Sequence, residues 1–356
     1  MKTKLLIACM TVIMLTGCQK DVNINNEQGQ PTRMKVSVVP VNSRAMTGNT
    51  AVGTDESDVN TITVYVFNGT TLEGYAADNG NEVTVTDIYT GTREIIVIAN
   101  APGTFTASSS YEDVKNGLME LTTSGYVSSL VMAGSATETL VVDAASNHFT
   151  IDIKRLVARI DIQEITVDFS ELTSVADPVL EITDIYLKNY YTEYNVSKIF
   201  NTRTLVENAD GVVPAWTDSF SPSLISGPAI SGTSTLVPTT DGYPYFYAAP
   251  NEQDPSGDWT GATLFVIKGN FYEDHAGDPT TSEVVYYVFE LNRNYNTQSV
   301  VTGTGNGIGV FANMKLSLKI GISKKGSSTE EPSYLTECTV TGNVLGWDEL
   351  DQNVIF

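Results

Sequence analysis

The feature that most constrains this chain is a period-two alternation of β-branched and aromatic residues, in short runs separated by Gly-, Asn- and Asp-rich turns. Successive side chains of a strand point to opposite faces of a sheet, so this period predicts antiparallel strands. The strongest runs are TITVYVF (61–67), REIIVIAN (93–100), HFTIDI (148–153), ARIDIQEITVDF (158–169), LEITDIYL (180–187), ATLFVIKGNFY (262–272), EVVYYVFEL (283–291) and MKLSLKIGI (314–322). Many short strands with such turns predict an all-β chain of sandwiches or barrels.

The weakest pattern between strong strands is SELTSVADP (170–178), and the domain boundary is predicted there. A first β-sandwich is expected over 45–170 and a second over 171–332, each long enough to bury its own core. One helix is predicted at 108–121, because a Ser cap and acidic first-turn residues precede apolar residues at helical spacing. The apolar face of this helix is expected to consist of Val114, Leu118 and Leu121.

Beyond the second domain the pattern changes. KKGSSTEEPS (324–333) is polar and charged, and its composition predicts a flexible linker. The tail that follows, 333–356, is strand-like again, although it comes after a finished domain. Within one subunit this tail is expected to have little to pack against.

The N-terminal segment has the pattern of a secretory signal. Lys2 and Lys4 precede an apolar run from Leu5 to Leu15, followed by Thr16-Gly17-Cys18. This run is about 11 residues long, whereas a membrane-spanning helix needs roughly 20. LTGC (15–18) resembles the bacterial lipobox, which implies cleavage between Gly17 and Cys18 and acylation of Cys18. Residues 1–17 are thus expected to be a lipoprotein signal peptide.

Cysteine usage and charge limit the remaining classes. The chain has three cysteines, Cys9, Cys18 and Cys338, so a lipidated exported form would have no disulfide partner for Cys338. The formal net charge is −22, from 20 basic and 42 acidic residues. Such a charge argues against nucleic acid or anionic lipid as a partner.

Enzyme signals are weak, and we expect neither catalysis nor a cofactor or metal. His148 lies in a strand pattern, where a surface or half-buried structural residue is the simpler interpretation. His275 stands beside Glu273, Asp274 and Asp278, which offer oxygen ligands to a hard cation, but an acidic turn between two strands accounts for them equally well. The glycine-rich GTGNGIG (303–309) has no following P-loop Lys and is interpreted as a hairpin loop.

Several segments in a fixed order resemble the type V pilins of Bacteroidales, the FimA-type fimbrillins, over essentially the whole chain. They are the lipobox, the later Arg44-Ala45, REIIVIANAP (93–102), KRLVARIDI (154–162), ITDIYLKNYY (182–191) and VFANMKLSLKIGI (310–322). In the last segment Asn313 fits the family pattern, whereas Ala312 and Met314 depart from it. The resemblance implies two tandem sandwiches of transthyretin-like or Greek-key type with one short helix in the first.

The family resemblance also implies a mechanism of maturation. Residues 18–44 would be a propeptide whose first strand, MKVSVVPV (34–41), pairs into the first domain until an Arg-specific surface protease cuts between Arg44 and Ala45. Met34, Val36 and Val38 alternate toward one face of this strand, and Pro40 ends its ladder. A surface Arg in a loop is the alternative interpretation of Arg44. Arg33 is the rival cut site, but cleavage there would leave the strand in place.

The vacated groove would accept the tail of a neighbouring subunit, by strand addition. The expected donor residues are Cys338, Val340, Val344, Leu345 and Trp347. The partners implied are further copies of the chain, anchor and tip pilins, and the protease. The precursor would be an outer-membrane lipoprotein and the mature form a fimbrial stalk subunit, serving adhesion or biofilm formation.

A surface glycan-binding lipoprotein is the alternative from another functional class. Its binding platforms would be aromatic, and the candidates are Trp216, Trp259 and the YPYFY cluster (243–247). Packing in a core or loop is the simpler interpretation of these aromatics. A strand-like tail has no role in a glycan binder.

Overall fold

The structure is a computed structural model. It describes residues 29–40, 56–120, 130–191, 193–197, 230–231, 234–236, 245–253, 261–294, 299–300, 308–331 and 348–355. Within these ranges the chain forms strands, one short α-helix and one 3₁₀ turn, so the predicted all-β class is confirmed. No helix among the described residues is long and apolar enough to cross a membrane.

The strands of the first half are β1 (Pro31–Pro40), β2 (Thr61–Asn68), β3 (Thr71–Asn79), β4 (Glu82–Tyr89), β5 (Gly91–Ala99), β6 (Met119–Glu120), β7 (Met132–Leu140), β8 (His148–Arg155) and β9 (Ala158–Val167). The helix α1 is Tyr111–Asn116, and the 3₁₀ turn is Ala144–Ser146. The strands of the second half are β10 (Val179–Lys188), β11 (Glu193–Tyr194), β12 (Ile230–Ser231), β13 (Ser234–Leu236), β14 (Tyr245–Ala248), β15 (Asn251–Gln253), β16 (Leu264–Tyr272), β17 (Glu283–Glu290), β18 (Arg293–Asn294), β19 (Ser299–Val300), β20 (Ile308–Val310), β21 (Met314–Ile322) and β22 (Asp348–Ile355).

The first core is enclosed by seven strands in the order β3-β2-β5-β7-β8-β1-β4. β7 pairs with β8 only through Met132 and Ala133. The strands β3, β2, β5 and β7 face the strands β8, β1 and β4 across the core. Val36 of β1, Ile151 of β8 and Ile95 of β5 accordingly share one buried cluster. Burial of these apolar side chains in the first core is the main favourable term in its folding.

The outer face of β2 and β5 buries a second cluster beneath α1. Tyr65, Ile96 and Val114 belong to it, and Tyr194 and Ala249 contribute from later in the chain. The helix begins at a capping box, in which Ser110 and Asp113 bond each other's main-chain N–H groups.

This helix is shorter than predicted, because it ends before Gly117. Val114 is buried as expected, but Leu118 lies beyond the helix and is 60% exposed. Leu121 lies outside the described residues.

The second core lies between two further sheets, ordered β12-β10-β16-β17 and β13-β9-β21-β22, with β14 also paired to β9. Both sheets supply its buried residues, including Ile160, Leu187, Phe265, Tyr287 and Leu318. β9 and β21 are parallel, and β10, β16 and β17 are antiparallel.

The chain passes from the first core to the second earlier than the boundary predicted at 170–178. The N–H of Leu156 bonds the carbonyl of Val131 in the first half, whereas the carbonyl of Val157 accepts from Asn313 in the second. The strand β9 therefore belongs to the second core. Two residues without a turn signal make this passage, which explains why the sequence pattern did not reveal it.

The predicted flexible linker instead packs against the outer face of β10, β16 and β17. The Lys325 ammonium lies 2.9 Å from Glu273 and 3.0 Å from Glu283. Ser327 and Tyr286 exchange two main-chain hydrogen bonds, and Glu330 pairs with Lys188 at 2.9 Å. The prediction failed because the charged residues that suggested solvation have partners on this sheet.

Candidate functional site

The candidate site is the position of β1 in the first sheet. β1 pairs with β8 in parallel, from Lys35 with His148 to Pro40 with Ile153, and with β4 in antiparallel orientation. In the described part of the chain β4 has no other hydrogen-bonded neighbour. Removal of β1 would thus leave a slot with two unpaired edges.

The inner face of β1 contributes directly to the first core. Met34, Val36 and Val38 are 1%, 0% and 1% exposed and pack in the same cluster as β2, β5 and β8. Burial of three such side chains contributes about 5–9 kcal/mol. An empty slot would therefore expose both apolar surface and main-chain polar groups.

The outer face of β1 is held by polar side chains from both neighbours. The Lys35 ammonium lies 2.6 Å from Glu82 of β4, and the Ser37 hydroxyl donates to the same carboxylate at 3.0 Å. The Ser37 hydroxyl also lies 3.1 Å from Nε2 of His148 in β8. Hydrogen bonds from Lys35 and then Ser37 lower the pKa of Glu82. His148 is thus a partner of β1 on the surface.

The predicted cleavage sites lie before, after and within β1. Gly17, Cys18, Arg44 and Ala45 lie outside the described residues. Arg33, the rival cut site, lies inside β1, and its carbonyl accepts a hydrogen bond from the Asn147 amide. The main-chain carbonyl of Arg33 is therefore engaged by Asn147 in the folded subunit.

A buried charge cluster surrounds Glu56, the first described residue after β1. Arg159 donates to the Glu56 carboxylate and, at 2.6 Å, to Asp161. The Lys315 ammonium lies 3.5 Å from Asp161, and Nε of Arg155 donates to the carbonyl of Glu56 at 3.1 Å. Burial raises the pKa of Asp161, and the cations of Arg159 and Lys315 oppose this shift.

This cluster joins the two cores, and sequence reasoning missed it. Glu56 precedes β2 of the first core, whereas Arg159 and Asp161 lie in β9 and Lys315 in β21 of the second. The segment KRLVARIDI (154–162) was used only for its resemblance to the FimA-type fimbrillins. Its alternation of Arg with apolar residues was the available signal, but a sequence does not show which carboxylates come to meet the cations.

The C-terminal strand is also partly described. Cys338, Val340, Val344, Leu345 and Trp347 lie outside the described residues. β22 pairs in parallel with β21, from Asp348 with Met314 to Ile355 with Gly321, at the outer edge of the second sheet. The expectation that the whole tail has little to pack against in its own subunit is therefore wrong for this strand.

The acidic turn around His275 has the contacts of an ordinary turn. Asp274 accepts from the N–H of Gly277 at 2.9 Å, and hydroxyls of Thr280 and Thr281 donate to Asp278. Glu273 pairs with Lys325 across the sheet. Among the described residues no three His, Cys, Asp or Glu side chains converge as metal ligands.

Two side chains of the aromatic cluster, Phe246 and Tyr247, contact other parts of the protein. Phe246 is 1% exposed in the second core, and the Tyr247 hydroxyl donates to Glu56. Trp216 and Trp259 lie outside the described residues. A glycan platform is therefore not supported by Phe246 or Tyr247.

Comparison with known proteins adds an independent observation. Residues 32–180 match the family model described as major fimbrial subunit protein (FimA). The chain is 23% identical to a major fimbrium subunit FimA type-2 of Porphyromonas gingivalis, over 97% of the chain and 98% of that protein. A second FimA type-2 sequence of the same organism is 23% identical over 100% of both chains.

A solved structure has a similar fold. The crystal structure of a fimbrilin (FimA) from Porphyromonas gingivalis superimposes with a TM-score of 0.60 and 16% identity. The superposition covers 92% of this chain and 98% of that one.

Proposed function

We propose that this chain, which is related to the FimA-type fimbrillins across both of its cores, is a structural pilin that polymerises by exchange of β1. It is a fimbrial subunit and not an enzyme. Polymerisation would follow proteolysis between Arg44 and Ala45, and the tail of another copy would then enter the slot between β4 and β8.

The interior position of β1 is the observation that carries this proposal. An edge strand can leave a sheet without opening it, whereas departure of β1 unpairs β4 and β8 together. The resulting surface combines apolar side chains with free N–H and C=O groups, and such a surface recruits another strand. The slot is therefore suited to accept a replacement strand.

The described residues nearest to the cut support the proposed maturation. β1 ends at Pro40, and Glu56 makes buried ionic contacts. A cut after Arg44 would separate β1 and everything before it from the folded subunit. The Glu56 cluster would keep the new N-terminal segment attached to both cores.

The tail is the proposed donor. β22 occupies only an outer edge, and Asp348, Glu349 and Asp351 give its sequence a low strand propensity. Its release would unpair one edge of β21, which stays paired with β9 on the other. A tail on one copy and a slot on the next form a heterologous contact that does not close, and such contacts build filaments.

The cellular setting of the proposal is a bacterial surface. Cys18 would carry the lipid of an outer-membrane precursor, and the cut would free the subunit from it. Anchor and tip pilins and an Arg-specific protease are the further partners proposed. Adhesion or biofilm formation is the proposed role of the fimbriae.

Limited trypsin treatment of the full chain tests the trigger. We expect a new N-terminus at Ala45 and SDS-resistant ladders, and Arg44→Ala should suppress both. Arg33→Ala is the matched control, since that exposed side chain lies within β1, and it should polymerise normally. Ladders that form equally with an uncut Arg44→Ala chain would refute the trigger.

Metabolic labelling with a fatty acid tests the anchor. Cys18→Ala should abolish the label and surface display. A fully displayed, unlabelled variant would contradict the lipid anchor without affecting the strand exchange.

A further inference from the structure

A single buried asparagine, Asn147, contacts the main chain of β1. It is 0% exposed and lies just before β8. Its Nδ2 donates to the carbonyls of Val141 at 2.8 Å and Arg33 at 3.1 Å, and to the Thr32 hydroxyl at 3.1 Å. Its own carbonyl accepts from the N–H of Lys35 at 2.8 Å. The side-chain amide and the main-chain carbonyl of Asn147 thus bind β1 at Thr32, Arg33 and Lys35.

The turn between β7 and β8 holds this side chain in place. Asp143 caps the 3₁₀ turn Ala144–Ser146, and Asn147 closes it with its N–H on the carbonyl of Ala144. The Asn147 Oδ1 accepts from the N–H of Val141 at 2.9 Å. The Oδ1 atom is therefore used on Val141, and the Nδ2 group bridges the carbonyl of Val141 and the start of β1.

Only an amide suits this arrangement. A carboxylate has no N–H to donate, and an aliphatic side chain has neither donor nor acceptor. Thr32 completes the contact, since its hydroxyl accepts from Asn147 and donates to the carbonyl of Val141 at 3.0 Å. Apart from this hydroxyl, Asn147 contacts only main-chain groups of β1, and every extended strand has such groups.

We infer that Asn147 is a main-chain recognition residue of the slot, which holds β1 before exchange and the corresponding positions of the incoming strand afterwards. The second half of this inference rests on the proposed function. When β1 departs, the Nδ2 group retains Val141 and loses Thr32 and Arg33. The freed N–H of Asn147 is then available to the main chain of an incoming strand.

The contacts define the strand that fits. It needs a hydroxyl at the position of Thr32, a free carbonyl at Arg33 and an N–H at Lys35, which excludes proline there. In the tail, Thr336, Cys338 and Val340 have the spacing of Thr32, Met34 and Val36. The tail register predicted by Asn147 therefore places Thr336 at the position of Thr32.

Hydrogen exchange of the full, uncut chain tests the first half of the inference. Asn147→Ala should speed exchange of the β1 amides roughly tenfold or more, because the lost bonds join β1 to its neighbour. Asn251→Ala is the matched control: this buried amide also donates to main-chain carbonyls, of Asn189 and Gly261, but beside the second core. It should leave exchange of β1 within twofold of the parent.

Thr32→Val provides a measurement that does not depend on altering Asn147. It should also speed exchange of β1, and combination with Asn147→Ala should add little, since both changes break the same contact. Ser37→Ala, which removes contacts to Glu82 and His148, should add its full effect to Asn147→Ala. Unchanged exchange of β1 in Asn147→Ala, or full additivity with Thr32→Val, would overturn the inference.

Cleaved subunits separate this inference from the proposed function. A labelled peptide of residues 29–41 should bind the emptied slot, and Asn147→Ala should weaken it about tenfold. A labelled peptide of residues 334–347 should compete for the same slot with the same dependence on Asn147. If only the first peptide binds, Asn147 still recognises β1 and donor-strand exchange fails. If both bind and neither depends on Asn147, exchange stands and the inference fails.

Discussion

The first and last strands of the described chain, β1 and β22, are both paired in parallel, but they are held very differently. β1 lies inside its sheet with neighbours on both edges, and its three inward side chains are at most 1% exposed. β22 lies on an outer edge with β21 as its neighbour. Its sequence, DELDQNVI, is mostly polar or acidic.

This difference indicates which strand must be cut free and which can leave by itself. Loss of β1 would open the first core, so we expect a subunit with intact β1 to be a stable monomer. Loss of β22 exposes an edge but removes no strand from between two others. In the proposed exchange β1 suits the role of the plug, the strand that fills the slot before cleavage. The tail that ends in β22 suits the role of the donor.

The largest effect should come from placing a charge on the inner face of β1. Val36→Asp buries a carboxylate without a partner in the first core, and we expect a loss of more than about 4 kcal/mol in the free energy of unfolding. Val39→Asp is the matched control on the same strand, since Val39 is 46% exposed, and should cost about 0.5 kcal/mol or less. Urea denaturation measures both. Equal losses would show that β1 is not the plug of this core.

The next largest effect should come from the charge cluster around Glu56, which joins the two cores. Arg159→Met leaves the carboxylates of Glu56 and Asp161 without their shared cation, and breaking a buried ion pair costs about 3–5 kcal/mol. Lys268→Met breaks a partly exposed pair with Asp184 and should cost about 1 kcal/mol or less. Thermal unfolding distinguishes them. An Arg159→Met chain as stable as the Lys268→Met chain would mean that the cluster does not hold the cores together.

Deletion of 348–356 should have a much smaller effect on the monomer. The main-chain bonds of β22 and the entropy of ordering it nearly offset each other, so the expected loss is on the order of 1 kcal/mol. A longer deletion of 334–356, which also removes the proposed donor residues between 338 and 347, should abolish polymerisation after cleavage, as measured by SDS-resistant ladders. An unfolded monomer would place β22 among the essential strands of the second core and end the contrast with β1.

The smallest effect is a pH dependence of β1. The pKa of Glu82 is lowered in the folded protein by Lys35 and Ser37. A carboxyl with a lowered pKa stabilises the fold above its ordinary pKa, and this contribution is lost as the pH falls through the lowered value. Because Glu82 is well exposed, we expect only a slight rise in exchange of the β1 amides in acid, and Glu82→Gln should remove it. A dependence that persists in Glu82→Gln would point to another group.

Sequence reasoning located the strands that alternate strongly. β2, β21 and β8 begin at the predicted residues, because β-branched residues on a half-buried surface set both the period and the face. β3 and β7 were missed, since Gly, Ala, Thr and Glu dilute their apolar pattern. Leu118 was assigned to a helix that Gly117 already ends.

The candidate site was less accessible from sequence, for a physical reason. The inner face of β1 follows from local alternation, but its position between β4 and β8 depends on pairing with strands far along the chain. The same holds for Asn147 and for the charges around Glu56, whose partners are about a hundred residues away in sequence. Asparagines and charged residues are common in turns and strands, and only the folded structure shows which of them contact each other.

Cryo-electron microscopy of filaments formed after cleavage at Arg44 tests strand exchange most directly. Strand exchange predicts an extended chain in the slot between β4 and β8 that continues into a neighbouring subunit, with residues of that neighbour's tail in the places of Met34, Val36 and Val38. The segment 348–355 of that neighbour would no longer lie along its own β21 in the monomer's arrangement. Filaments in which each subunit still holds its own β1 in the slot would contradict the account.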